Sequence, residues 1–323
     1  MIAILLIALA AGCASALMFA SIISGVLISL LLFYLAPLPL MVAGLAWGPL
    51  SATIGGIAAA AGLAAIFGLP YGIAFVIMIA LPAWWLGHLA LLGRRVGTDA
   101  AVDGDAPAAP TLEWYPIGRI LLWIAGFAML TTTAILFTLG TDAATITDVI
   151  HKALQWFLGL RGAASSGETE QALDALVIVA PAAGAIFTMM TLTLNLWLAA
   201  KIAATSGRLQ RPWPDLRGAD LPPMTLAILS LALAFCFTSG LLAMLARIFA
   251  ATLIMAYALT GFAALHTLTM ALKHRALWLG CTYAVVVIFS WPLLAMAALG
   301  LADAVFGLRR RYLQGRPPPL PAS

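Results

Sequence analysis

Three ionisable or strongly polar side chains lie inside long apolar runs. They are Asp303 in Gly300-Leu301-Ala302-Asp303-Ala304-Val305-Phe306, His266 in Gly261-Phe262-Ala263-Ala264-Leu265-His266-Thr267, and Asn195 in Leu194-Asn195-Leu196. Polar groups are costly in hydrocarbon, so such residues are where chemistry is sought first in a membrane. A carboxylic acid there could relay protons, an imidazole could serve as acid or base, and a carboxamide could orient a bound molecule. Each also has a plain structural role. Asp303 stands six residues before the Arg309-Arg310-Arg311 triplet and reads as a salt bridge or a headgroup-level cap. His266 and Asn195 read as hydrogen-bonding groups between helices. Together with Arg247, Asp303 and His266 are all that a lipid-active enzyme would have to work with.

No catalytic, cofactor-binding or metal-binding motif accompanies them. The chain has no HExxH, no Walker A sequence and no GxSxG. Its three cysteines, Cys13, Cys236 and Cys281, are scattered through apolar runs without a CxxC pair. They read as small buried hydrophobes. No enzymatic activity and no cofactor are expected, and active transport would need an energising partner. The excess of 16 Lys and Arg over 12 Asp and Glu does not point to nucleic acid. The basic residues sit singly or in short clusters at the ends of apolar segments, where membrane lipids and orientation explain them.

Small residues form the most suggestive pattern. Ala8, Gly12, Ala16 and Ala20 recur every four positions and share one helix face; Gly44 and Gly48, and Ala52 and Gly56, are again four apart, beside a strip of Ser51, Gly55 and Ala59. Such faces let a neighbouring backbone approach closely. Two uses follow: packing within the chain, or docking on another membrane protein.

The elements that carry these residues are set by composition. Of 323 residues, 64% are hydrophobic and 9% charged, against roughly a quarter charged in a soluble domain. Residues 1 to 93 contain no Asp, Glu, Lys or Arg. The chain is therefore expected to be an all-α, polytopic helical membrane protein of about seven to nine segments, each needing roughly 20 apolar residues to cross. Residues 1–93 form a charge-free membrane block. Within it, 1–36 reads as one long helix or one broken near Ser24-Gly25, ended by Pro37 and Pro39; 40–68 and 71–92 follow. The first run lacks a basic leader and reads as a transmembrane helix rather than a cleaved signal.

Residues 94–117 read as a polar loop, and 118–307 as a second membrane region. Its outer loop, 141–175, holds two basic and five acidic groups and an amphipathic helix around Ile146 to Leu158, with Trp156 at headgroup depth. The basic stretch from Lys201 to Arg217 is placed on the cytoplasmic face. Arg247 and Lys273-His274-Arg275 divide 222–307 into three segments. Three crossings would put the Arg309 triplet outside, against the positive-inside bias, so incomplete crossing near Trp291-Pro292 is expected. The remainder, 308–323, is a basic, proline-rich tail, with polyproline II geometry expected over Arg316 to Pro321. Trp84, Trp85, Trp123, Trp197 and Trp278 fall near span ends, as an aromatic belt would place them.

Three stretches resemble the YybS-like family of predicted bacterial multi-spanning membrane proteins. These are Ala36-Pro37-Leu38-Pro39 leading into Gly44-Leu45-Ala46-Trp47-Gly48-Pro49, Gly261 to His266, and Gly300-Leu301-Ala302-Asp303 running into Leu308-Arg309-Arg310-Arg311. The amino-terminal half is also similar to the substrate-binding subunits of energy-coupling-factor vitamin transporters and to small membrane proteins of the rod-shape machinery. The shared feature is Gly48-Pro49 followed by Gly55, Gly56 and Gly62. The resemblance implies a bacterial inner-membrane protein whose small-residue faces, Ala8, Gly12, Ala16 and Ala20 among them, dock on a partner membrane subunit. A scaffold or envelope-assembly role without small-molecule cargo is the alternative.

Overall fold

The computed structural model describes residues 2–96, 111–159, 167–289 and 291–314. The protein is an all-α polytopic membrane protein: among the described residues, seven helical stretches are long and apolar enough to cross a bilayer, and eight if the bent pair at 292–314 counts as one. The helices fall into two compact units, Met1–Thr131 with Thr188–Pro214, and Thr132–Phe187 with Asp215–Ser323.

In the first unit, α1 (Ile2–Ala20) ends in a short 3-10 turn and breaks at Gly25, whose φ of 67° is left-handed. The break expected near Ser24-Gly25 is there. The next boundary differs from expectation. Pro37 does not end a span; it occupies the first turn of α3 (Pro37–Trp47), directly after α2 (Leu27–Leu35), and the two make one span. Proline is tolerated there because the first amides of a helix have no intrahelical acceptor. The reversal comes instead at Gly48, where a φ of 95° turns the chain before Pro49 opens α4 (Pro49–Phe67). Gly68 repeats the device ahead of α5 (Leu69–Phe75).

Between α5 and α6 (Leu81–Leu91) the helix widens into one π-turn, Val76–Ala80, in which Leu81 N–H donates to Val76 O. Pro82 explains it: Pro82 has no amide for the carbonyl four residues back, Met78, and its ring would collide with that carbonyl. Residues 94–117 are not simply a loop. β1 (Gly93–Val96) and β2 (Thr111–Trp114) pair antiparallel, tied at Arg94–Glu113 by a 3.0 Å ion pair. The intervening residues lie outside those described.

Two long helices follow, α7 (Ile117–Leu139) and α9 (Gly167–Thr205). At about 1.5 Å per residue the 39 residues of α9 extend well beyond a 30 Å core. Glu168 and Glu170 therefore belong to the helix that the sequence begins only near Leu176. Between them, α8 (Ala143–Phe157) is the expected amphipathic helix. Asp142 caps it, accepting from Thr145 N–H at 2.9 Å and Thr145 Oγ1 at 2.7 Å. Ile146 is buried within the second unit, to which α8 belongs, while Trp156 and Phe157 are exposed.

The second unit departs most from expectation. In place of three segments of spanning length between 222 and 307, the described residues form four helices, α10 (Met224–Phe235), α11 (Gly240–Leu268), α12 (Arg275–Phe289) and α13 (Pro292–Phe306), of which α11 alone is by itself long enough to cross a bilayer. Arg247 does not interrupt a segment; it lies inside α11. The missing break is at residues 236–239, where only Thr238 and Ser239 are strongly polar and hydropathy gives little warning. A short α14 (Leu308–Gln314) leaves α13 at a 64° bend. The polyproline stretch from Arg316 to Pro321 lies outside the described residues.

Candidate functional site

Small residues determine how the helices meet. A Cβ added at Gly12 would lie 2.2 Å from Gly55 O, and one at Gly55 would lie 2.3 Å from Ala8 O. The backbones of α1 and α4 therefore touch directly, and only residues without bulk fit. Gly44 follows the same logic with Ala52, at 3.3 Å from its methyl. Ala8, Gly12, Gly44, Gly55 and Gly56 are buried, and Ala16, Ala20 and Gly48 half-buried. The face that the sequence offers for docking is thus occupied by α4 of the same chain.

A second crossing of this kind joins α11 to α13. A Cβ at Gly261 would lie 1.9 Å from Met296 O and one at Gly300 would lie 2.0 Å from Tyr257 O. The sequence places Gly261 and Gly300 only in apolar motifs, 39 positions apart, and no spacing rule links them.

Beside the first crossing, α4 and the α5–α6 helix leave an open apolar groove of about 510 Å³. Gly56, Ala60 and Ala64 line it from α4, and Gly72, Val76 and Ala80 from the opposite side, the last two belonging to the π-turn. Thr53 is its only polar-tipped aliphatic residue, and Trp84, stacked on His88 at 6.2 Å between centroids, is also part of its lining. From Ala52 to Ala64 the groove follows about 18 Å of helix, close to the depth of one bilayer leaflet. Such a trough accepts an apolar chain and offers almost nothing to a polar molecule.

The three intramembrane polar candidates are separately engaged. Asn195 is fully buried in the first unit, donating from Nδ2 to Tyr34 O and Thr191 O, each at 2.8 Å. His266 accompanies α12: its Nε2 is 2.8 Å from Tyr283 Oη and its Nδ1 3.3 Å from Arg275 Nη2. Arginine can only donate, so Nδ1 accepts, and the imidazole is the neutral Nε2–H tautomer donating to Tyr283. Asp303 is buried against Arg309, accepting its backbone N–H at 2.8 Å and its Nε–H at 2.6 Å. Arg309 also donates to Arg217 O, Ala219 O and the Asp220 carboxylate. This cluster clamps the α13–α14 bend to the 215–220 loop. Both Asp303 oxygens are taken by Arg309, an arrangement suited to holding a bend rather than to passing protons.

The sequence reading did not anticipate the cation–aromatic pairs at one end of the first unit. Arg208 lies 4.9 Å over Trp47, Lys201 5.3 Å over Trp213, and Arg211 5.9 Å over Trp114. Arg211 also donates to Ala90 O, and partial burial lowers its pKa from the ordinary value. Four cations and one tryptophan, Trp213, between 201 and 217 were the available signal, while the other two rings, Trp47 and Trp114, lie far off in the sequence. Trp47 is engaged by Arg208, and Tyr71 by Phe19 and Phe67. Among the described residues no group of three or more His, Cys, Asp or Glu is placed to hold a metal ion. Searches of protein-family models, curated proteins and solved structures return no match to this chain.

Proposed function

We propose that this chain is the membrane-embedded, ligand-binding subunit of a transport assembly, holding an apolar, chain-like ligand in the groove between α4 and α5–α6. The groove carries the reading. It is long, shallow and almost free of polar groups, and a π-turn, a feature frequent at functional sites, forms one wall. No nucleotide-binding motif accompanies it, so movement of the ligand would be powered by a partner. The resemblance to energy-coupling-factor subunits and to YybS-like proteins agrees with such a division of labour in a bacterial inner membrane. With the α1 face packed on α4, the partner would meet another surface. A scaffold filled by bulk lipid is the second reading, favoured by how little polarity the groove offers for selecting a ligand.

Native mass spectrometry of the protein purified in mild detergent tests the proposal, alongside Ala60→Trp, which fills the groove from α4. A co-purified lipid-like molecule lost in Ala60→Trp, with an ATPase or coupling subunit recovered in the same preparation, is the expected result. Identical adducts in both proteins would remove the groove as a ligand site. Recovery of cell-wall or division proteins would favour the scaffold.

A further inference from the structure

At the end of the second unit where α14 emerges, charge is out of balance. Residues 215–220, 269–275 and 303–314 carry six Lys and Arg side chains and three carboxylates. The carboxylates are committed: Asp303 and Asp220 to Arg309, and Asp215 to Arg217 at 3.7 Å. Among the described residues, Lys273, Arg275, Arg310 and Arg311 have no carboxylate partner.

Arg275 differs from the other three in being held. It is half-buried at the first turn of α12, and its Nη2 donates to His266 O at 3.2 Å as well as to His266 Nδ1. Its Nε is buried without a hydrogen-bond partner. The neutral His266 that orients the guanidinium is itself fixed by Tyr283, whose ring stacks on Phe262 at 5.3 Å and 8°. Three side chains on two helices thus immobilise a cation at an apolar boundary and supply no negative charge to it. Lys273 and His274 in the adjoining turn add to the positive field, and Trp278, one turn into α12, is exposed as an interfacial anchor would be.

We propose that Arg275 is the centre of a binding site for an anionic phospholipid headgroup, with His266 and Tyr283 as positioning residues. The ligand chemistry is a phosphate monoanion presented at the membrane surface. The guanidinium can meet it through Nη1, the nitrogen not engaged by His266, and a boundary of reduced dielectric strengthens the attraction. A lipid is the source because the site lies where apolar helices end, so a headgroup arrives with its chains already in the bilayer. The inference concerns the second unit and does not depend on the groove in the first.

The experiment measures lipid-dependent thermal unfolding and native-mass adducts of the full chain in detergent, titrated with phosphatidylglycerol, phosphatidylcholine or inorganic phosphate. Phosphatidylglycerol is expected to raise the unfolding midpoint and to add a retained lipid, with the other two giving neither. In Arg275→Gln that affinity should fall about fivefold, the worth of one basic residue near an anionic surface. Arg275→Lys should keep part of it, Tyr283→Phe should weaken it to a smaller extent, and Lys273→Gln should change it less than Arg275→Gln. Arg275→Lys and Tyr283→Phe keep the test available if Arg275→Gln does not fold. Equal phosphatidylglycerol binding by Arg275→Gln and the parent protein would overturn the site. Saturation by inorganic phosphate alone would replace the lipid with a free anion.

Discussion

Asp303 and Arg309 show how one pair of side chains can set the direction of a chain. Both are almost fully buried, so removing one partner leaves the other uncompensated in a poorly solvated place, which typically costs about 3–5 kcal/mol. Asp303→Ala is expected to lose stability on that scale in denaturation measured in mild detergent. Asp220→Ala removes a partner whose own side chain is 73% exposed, and the loss should stay under about 1 kcal/mol. Equal losses would mean that the cluster works through its exposed member and that the bend is not held by Asp303. The salt-bridge role of Asp303 was legible from its spacing to the arginine triplet. The further partners at 217, 219 and 220 were not, because nearly ninety residues separate them from Arg309.

At the scale of elements, apolar composition gave the helices and misplaced several of their ends. Proline was read as a terminator at Pro37, and the structure uses it as an initiator; the reversals are made by Gly48 and Gly68. Helix faces were legible as faces but not as partnerships, since Gly12 and Gly55 or Gly261 and Gly300 meet only after the chain has folded back. The α1–α4 contact changes what Gly12→Leu should do. Its side chain has no space at Gly55 O, and overpacking of this kind costs roughly 1–3 kcal/mol or more. A lowered unfolding midpoint is therefore expected in the isolated protein, and an unchanged one would contradict the close approach of the two helices. The cap of α8 gives a prediction of a different kind. Hydrogen bonds from the Thr145 hydroxyl and amide hold the Asp142 carboxyl below its ordinary pKa of 3.8. A depressed folded value means that its contribution to the helix is complete above the unfolded value. It is lost as pH falls through the folded one. Helical protection of residues 143–157 in hydrogen exchange should fall on acidification below about pH 4, and Asp142→Asn should flatten that dependence. Parallel acid profiles for the two proteins would show that the cap does not titrate there.

For the molecule as a whole, the direction of the carboxy-terminal end follows from the bonds of Arg309 rather than from counting charges. Three segments between 222 and 307 would carry the arginine triplet to the face opposite the 201–217 loop. Among the described residues that stretch holds four helices, not all of spanning length, and the bonds from Arg309 to Arg217, Ala219 and Asp220 set the start of the triplet beside the 215–220 loop. Arg247 lies within α11 rather than at a boundary, and the chain turns instead at 236–239. α12 and α13, at 15 residues each, span only about 22 Å apiece, and α10, at 12 residues, about 18 Å. Single cysteines in a chain lacking Cys13, Cys236 and Cys281 test this arrangement. Leu216→Cys and Gln314→Cys should react with an impermeant maleimide from the same side of sealed vesicles, and Thr147→Cys, exposed on α8, from the other. Labelling of 216 and 314 from opposite sides would require an odd number of crossings between them. That result would break both the α13–α14 clamp and the charge accounting that leaves Arg275 without a protein counter-ion.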